Sequence, residues 1–149
     1  MQNEWRQGDY ILSTDRSRLD LNVIHGFLTR SYWSPGIPRE TVERAIQNSM
    51  PFGLYLGVAQ IGLARVITDF TSFGYLADVF ILEEHRGQGL SKWMMETLFS
   101  HPELQGFRRW MLATRDAHGL YRQVGFTPLA APERFMEKWD PDIYRRGRS

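Results

Sequence analysis

The residues best placed to do chemistry lie in the loop Arg86-Gly87-Gln88-Gly89-Leu90-Ser91. Two glycines one residue apart let the backbone come close to a ligand and turn several N–H groups toward one point. A strand-like run over 74–81 precedes the loop, and after it Leu90, Trp93, Met94 and Leu98 fall on one helical face. Strand, glycine loop and helix present free amides and the positive end of a helix dipole to an anion, usually a phosphate. Two nucleotide fingerprints fail: no third glycine follows at the dinucleotide spacing, and no Gly-Lys-Ser or Gly-Lys-Thr is present. On spacing alone, a structural turn ahead of a helix explains the loop as well as a phosphate site does.

Two further side chains carry chemistry. Tyr121 lies in a helical pattern over 116–124 and offers a phenol that can donate a proton. On an isolated helix, burial beside Leu120 and Val124 is the stronger reading. Asp78 stands inside an apolar strand, where a carboxylate demands a partner or a role. Alternation puts it with Leu76 and Phe80, opposite Ala77, Val79 and Ile81. It is a general base or substrate anchor, or else a structural hydrogen-bonding group or an exposed edge residue. Glu83, Glu84 and His85 occupy a corner suited to solvation. His25, His85, His101 and His118 show no metal-ligand spacing, so no metal is expected.

The elements that must position these groups read in order. A short strand is expected at 10–12 and a helix over 19–31, where Leu21, Ile24 and Leu28 keep helical spacing. An aromatic elbow over 32–38 contains Tyr32, Trp33 and two prolines, the second suited to the first position of a helix running to about residue 48. The elbow is a packed connection or the wall of a binding site. Strands over 52–56, 60–68 and 73–81, joined by short turns, read as sequential antiparallel neighbours. The helix over 90–100 and a strand over 107–114 imply a crossover with parallel pairing. A short helix over 116–124, with Asp116 as its N-cap and Gly125 as its stop, leads to strands at 126–129 and 135–139. The order is βααβββαβαββ, a mixed α/β sheet with helices on both faces.

The 149 residues fit a single domain, 1–149, and 42% hydrophobic content is enough for a core. Lys plus Arg (18) nearly cancels Asp plus Glu (17), which gives no broad basic surface for nucleic acid. Arg145, Arg146 and Arg148 read as a solvated tail. Cysteine is absent, which removes disulfides, thiolate nucleophiles and thiolate metal sites and is compatible with a reducing cytoplasm. No run approaches a membrane span, and the first residues lack a signal peptide's apolar region. A cytoplasmic protein without membrane partners is expected.

The pattern Arg86-x-x-Gly89-x-Ser91, behind the strand 79–81 and Glu83-Glu84-His85, closely resembles the acetyl-CoA signature of the GNAT N-acetyltransferase superfamily. Downstream, Ala117-x-x-x-Tyr121-x-x-x-Gly125-Phe126 resembles that family's late helix and following strand. The resemblance spans most of 54–128 and implies the GNAT acyltransferase fold. It implies that backbone groups of Val79, Phe80 and Ile81 pair with the pantetheine arm of acetyl-CoA. Amides of Arg86, Gly87, Gln88, Gly89, Leu90 and Ser91 would hold the pyrophosphate, with the Arg86 side chain in a structural role. Ser91 replaces the usual Gly or Ala, and Thr114 stands where an Asn is frequent, which weakens a side-chain contact to the cofactor there. Tyr121 becomes the proton donor to the departing thiolate, and Asp78 the candidate base. The implied reaction moves an acetyl group to a primary amine, on a small molecule or a peptide, by direct attack in a ternary complex. The rival is a non-catalytic acyl-CoA-binding or regulatory module. Homodimer formation through the sheet edge or the C-terminal strands is compatible with the pattern, and the acceptor is not legible.

Overall fold

A computed structural model describes residues 3–146. The first two strands, β1 (Glu4–Gln7) and β2 (Tyr10–Ser13), form a hairpin. Strand β1 escapes the hydrophobic pattern because Trp5 is its one apolar residue, packed on Phe52. Helix α1 (Leu21–Leu28) starts where the Asp20 carboxylate accepts the N–H groups of Asn22 and Val23. Helix α2 (Arg39–Gln47) follows, with Pro38 at its N-cap and not, as the sequence reading had it, inside the first turn.

Strands β3 (Met50–Leu56), β4 (Ala59–Thr68) and β5 (Phe73–Ile81) run antiparallel. The β4–β5 turn is built by Asp69, whose carboxylate accepts the N–H groups of Thr71, Ser72 and Phe73 and the Ser72 hydroxyl. These bonds hold its carboxyl well below the usual carboxylate range. Helix α3 (Leu90–Ser100) crosses to β6 (Arg109–Met111), which pairs with β5 in parallel. The short helix α4 (His118–Arg122) follows. Among the described residues the strands make one six-stranded sheet in the order β1-β2-β3-β4-β5-β6.

Each face of the sheet has its own core. On one face Leu90, Met94, Met95 and Leu98 of α3 bury against Leu12, Phe52, Leu54, Val66, Leu76 and Ile81. Each such side chain, taken from water to core, contributes on the order of 2 kcal/mol. On the other face Ile24 and Leu28 of α1 and Val42 and Ile46 of α2 meet Leu63 and Phe80, with the Phe27 and Phe80 rings stacked at 4.1 Å.

The structure departs from the sequence reading at the C-terminal side. The strand expected over 107–114 is three residues long, and 126–129 and 135–139 form no strands. The apolar residues there pack singly: Phe126 lies edge-on to Tyr121, and Phe135 sits under the Arg109 guanidinium. A cleft of about 830 Å³ is lined by β6 on one side and the 126–135 segment on the other. Helix α4 begins after Ala117 and lacks a side-chain cap, so Asp116 does not cap it. Gly125 does take the left-handed conformation, φ 99°, that ends a helix.

One buried ionisable group marks the core as pH-sensitive. His101 is 1% exposed, edge-on to the rings of Trp5 and Phe52, and its Nδ1 accepts the Glu103 N–H. Its Nε2 has no partner. Burial pushes the imidazole pKa below its ordinary value, with Glu103 opposing weakly. The unfolded chain therefore takes up this proton first as pH falls. The stability from the neutral ring is whole above about 6.5 and drains away below it, toward the lower folded-state pKa. His101→Asn keeps an acceptor for Glu103 and removes the titration. Its unfolding free energy should fall less between pH 7.5 and 5 than that of the parent; equal slopes in urea titrations would exclude His101 as the source.

Candidate functional site

Parallel pairing of β5 and β6 covers only Phe73–Tyr75 against Arg109–Met111. β6 ends at Met111, so among the described residues β5 runs on from Tyr75 to Ile81 with no strand on that side, and this unpaired edge carries Val79, Phe80 and Ile81. A cavity of about 680 Å³ beside β6 is lined by residues 110–114, Tyr121 and Phe126 among others.

At the end of β5 the chain makes a single 3-10 turn, Glu83–His85, and then enters the glycine loop. Arg86 braces the corner: its Nε donates to the Ile81 carbonyl at 2.8 Å, and its own N–H donates to the Glu83 carbonyl. The sequence reading counted the Arg86 amide among the anion donors, but it is already engaged. The Tyr10 hydroxyl ties the loop to β2, 3.1 Å from His85 Nδ1 and 3.4 Å from Gln88 Oε1. Gly87 and Gly89 are both left-handed, φ 80° and 75°, and a Cβ on either would meet nothing within 4 Å. Trp93 makes the first helical bond, to the Gly89 carbonyl. Among the described residues no acceptor meets the N–H groups of Gly87, Gln88, Gly89, Leu90, Ser91 or Lys92. Unspent amides at an open, left-handed glycine turn have the chemistry to hold a phosphate group, and the turn is the candidate cradle.

Tyr121 is 8% exposed, its ring packed with the α3 core, and its hydroxyl has no hydrogen-bond partner among the described residues. Burial, and to a lesser degree the nearby Tyr32, push its pKa up to about 12. Thr114 spends its hydroxyl on the Ala117 N–H at 3.1 Å, turning the chain into α4. The side chain that replaces the family's frequent Asn therefore acts here as a turn former.

Asp78 is not where alternation placed it. It adopts φ 53°, and the register slips so that Asp78 and Val79 together oppose Ala64. This is a bulge of the type whose first residue is usually a left-handed glycine. Leu76 and Phe80, expected on one face, consequently enter opposite cores. The Asp78 carboxylate accepts Trp33 Nε1 at 2.8 Å and Arg65 Nε at 2.8 Å. The Arg65 and Asp78 side chains are 14% and 10% exposed. Trp33 belongs to the 32–38 elbow. Its neighbour Tyr32 accepts the Arg115 N–H through its hydroxyl and carries the Arg115 guanidinium 3.9 Å over its ring. Arg65 was the partner missed from sequence; a lone arginine in the apolar run Leu63–Ile67 facing a strand with a lone aspartate was its one signal. Among the described residues no group of three His, Asp or Glu side chains is arranged to hold a metal, and no helix is long and apolar enough to cross a membrane.

A mixed sheet whose fifth strand leads through a glycine turn into a helix N-terminus is an α/β scaffold that presents free amides to an anion. Residues 52–128 match the family model described as "Acetyltransferase (GNAT) domain". The chain is 36% identical over 140 residues, 78% of each protein, to the "Putative acetyltransferase FG08082" of Gibberella zeae. It also resembles the crystal structure of a "putative acetyltransferase belonging to the gnat family" from Xanthomonas campestris pv. campestris. That match has TM-score 0.90 and 46% identity, covering 93% of this chain and 99% of the other. A GNAT family acetyltransferase from Elizabethkingia anophelis with acetyl-CoA bound shares the fold, at TM-score 0.64, 12% identity and 92% coverage of both chains. The protein belongs to the GNAT family of acetyltransferases.

Proposed function

We propose that this acetyltransferase moves the acetyl group of acetyl-CoA to a primary amine by direct attack within a ternary complex. The observation that carries the reading is the set of six unspent amides at the α3 N-terminus, reached from a β5 whose pairing with β6 stops at Tyr75, with Tyr121 lining a cavity beside β6. When bound, acetyl-CoA supplies an activated thioester whose carbonyl carbon is the electrophile. Amides of Gly87 to Ser91 take the pyrophosphate, where the α3 dipole favours negative charge. Backbone groups of Val79, Phe80 and Ile81 receive the pantetheine arm as a sheet edge receives a strand.

The Tyr121 hydroxyl, without a protein partner among the described residues and in a side chain that lines the cavity beside β6, is the donor to the thiolate that leaves. With a pKa of about 12 it keeps its proton throughout the working range. Full transfer to a thiolate whose conjugate acid lies near 8.5 runs uphill by roughly 5 kcal/mol. Tyr121 therefore stabilises the departing sulfur by donating a hydrogen bond. The ammonium first gives one proton to solvent and the neutral amine attacks; the proton its nitrogen sheds as the C–S bond breaks passes through water to the sulfur. Both carboxylate oxygens of Asp78 are engaged, by Trp33 and Arg65, and its contribution is to tie the 32–38 elbow to β5. Cysteine is absent, so no thiol carries the acetyl group between donor and acceptor. A cytoplasmic setting fits the cysteine-free composition and the donor.

The test mixes the protein with acetyl-CoA and a panel of small amines, polyamines and peptide α-amines while free thiol is followed. Amine-dependent thiol release is expected. Tight acetyl-CoA binding with no amine-dependent release from any member would replace this reading by the non-catalytic acyl-CoA module.

A further inference from the structure

We propose that Trp33, Asp78 and Arg65 form a latch that fixes the β5 bulge and so positions the backbone edge that reads the acetyl carbonyl. The inference rests on the acetyl-CoA reading above and adds positioning residues to it. A pantetheine arm that starts at the glycine loop and runs back along β5 from Ile81 reaches Asp78 after three residue steps, about 10 Å. An arm laid along this edge therefore passes the bulge, and on this reading its thioester end lies there.

The bulge needs help to hold its shape. A non-glycine residue at φ 53° is strained, and aspartate tolerates that region only better than most. The carboxylate is pinned from two directions: Arg65 holds Oδ2 from within the sheet, and Trp33 holds Oδ1 from the elbow. Arg65 is itself steadied, its Nη1 reaching the Ser49 hydroxyl at 3.4 Å. Two donors at 2.8 Å on two different oxygens leave the carboxylate no freedom to rotate, and through Cα they set the backbone of Asp78 and Val79. Trp33 also lies beside Phe27, whose ring stacks on Phe80, the residue after the bulge. The elbow thus grips the bulge on both sides. A carboxylate so engaged is a positioning group and not the base.

The latch separates two ligands that differ only at the acetyl group. Calorimetric titration of the full chain with CoA and, separately, with acetyl-CoA reads it without knowledge of the acceptor. One hydrogen bond to the carbonyl gives the parent about a fivefold preference for acetyl-CoA. Trp33→Phe, which leaves the Arg65–Asp78 pair whole, and Asp78→Asn, which keeps an oxygen for Arg65, should each bring that preference close to unity. Their CoA affinity should fall less than their acetyl-CoA affinity, because the pyrophosphate cradle is untouched and only the bulge end of the arm is disturbed. A preference kept in both variants, or absent from the parent, overturns the latch. Equal weakening of both ligands in the variants also overturns it, since the three residues would then only support the fold. A parent that binds neither ligand refutes the acetyl-CoA reading itself, a result distinct from all of these.

Discussion

Gly89→Val should weaken CoA binding by at least about 100-fold while leaving the protein folded. A Cβ at this position meets no atom within 4 Å beyond the adjoining residues, so the branch starts in open space. What it fills is the volume in front of the unspent amides, where a pyrophosphate must sit. Losing two or three charge-assisted hydrogen bonds at about 1.5–3 kcal/mol each accounts for the size of the effect. The left-handed backbone adds a separate cost of about 1–2 kcal/mol to the folded state, or about 2–8 °C in Tm. Gly57→Val is the matched control. Gly57 is also left-handed, φ 62°, and open, but it lies in the β3–β4 turn far along the chain from the cradle. Both variants should lose a similar few degrees, and Gly89→Val alone should lose CoA in calorimetry. Undiminished CoA affinity in Gly89→Val would place the anion site elsewhere.

The cradle was legible because every component is local. A buried strand, two glycines and an amphipathic helix follow one another within some thirty residues, and each has its own periodicity. The antiparallel run β3–β4–β5 was legible for the same reason. What lay hidden depends on contacts far apart in sequence or on breaks in periodicity. Asp78 meets Trp33 45 residues away, and nothing in either segment marks that pair. The bulge defeats alternation outright, because one extra residue reverses the facing of everything after it. Strand β1 carries only Trp5 as an apolar marker, and its place in the sheet follows from pairing with β2. The opposite error occurred at 126–139, where apolar residues in strand-like order pack one by one around β6. Pattern reports which residues seek burial, and a ladder additionally needs a free edge in register. Thr114 shows the same limit in a side chain: its type did not reveal that its hydroxyl accepts the Ala117 N–H and shapes the turn into α4.

Tyr121→Phe should lower kcat by about 100-fold and leave CoA affinity within about twofold. The ring supplies the packing against Phe126 and the α3 core, and phenylalanine retains it. The hydroxyl makes no hydrogen bond to the protein, so its removal leaves no donor or acceptor stranded. Stability should therefore be unchanged or slightly raised, in contrast to an ordinary buried tyrosine whose hydroxyl holds the fold. Charge develops on sulfur only as the bond to the acetyl group breaks, so a donor aimed there acts on the transition state far more than on the bound reactant. The pH profile separates this role from true proton transfer. A hydrogen-bond donor with a pKa of about 12 places no limb of its own in the rate between pH 6 and 10. The parent and the phenylalanine variant should then show profiles of the same shape, offset by a constant factor. A basic limb present in the parent and missing from the variant would show that Tyr121 titrates within that range, as an acid that gives up its proton. Equal turnover in the two proteins would remove Tyr121 from the mechanism and return it to the core.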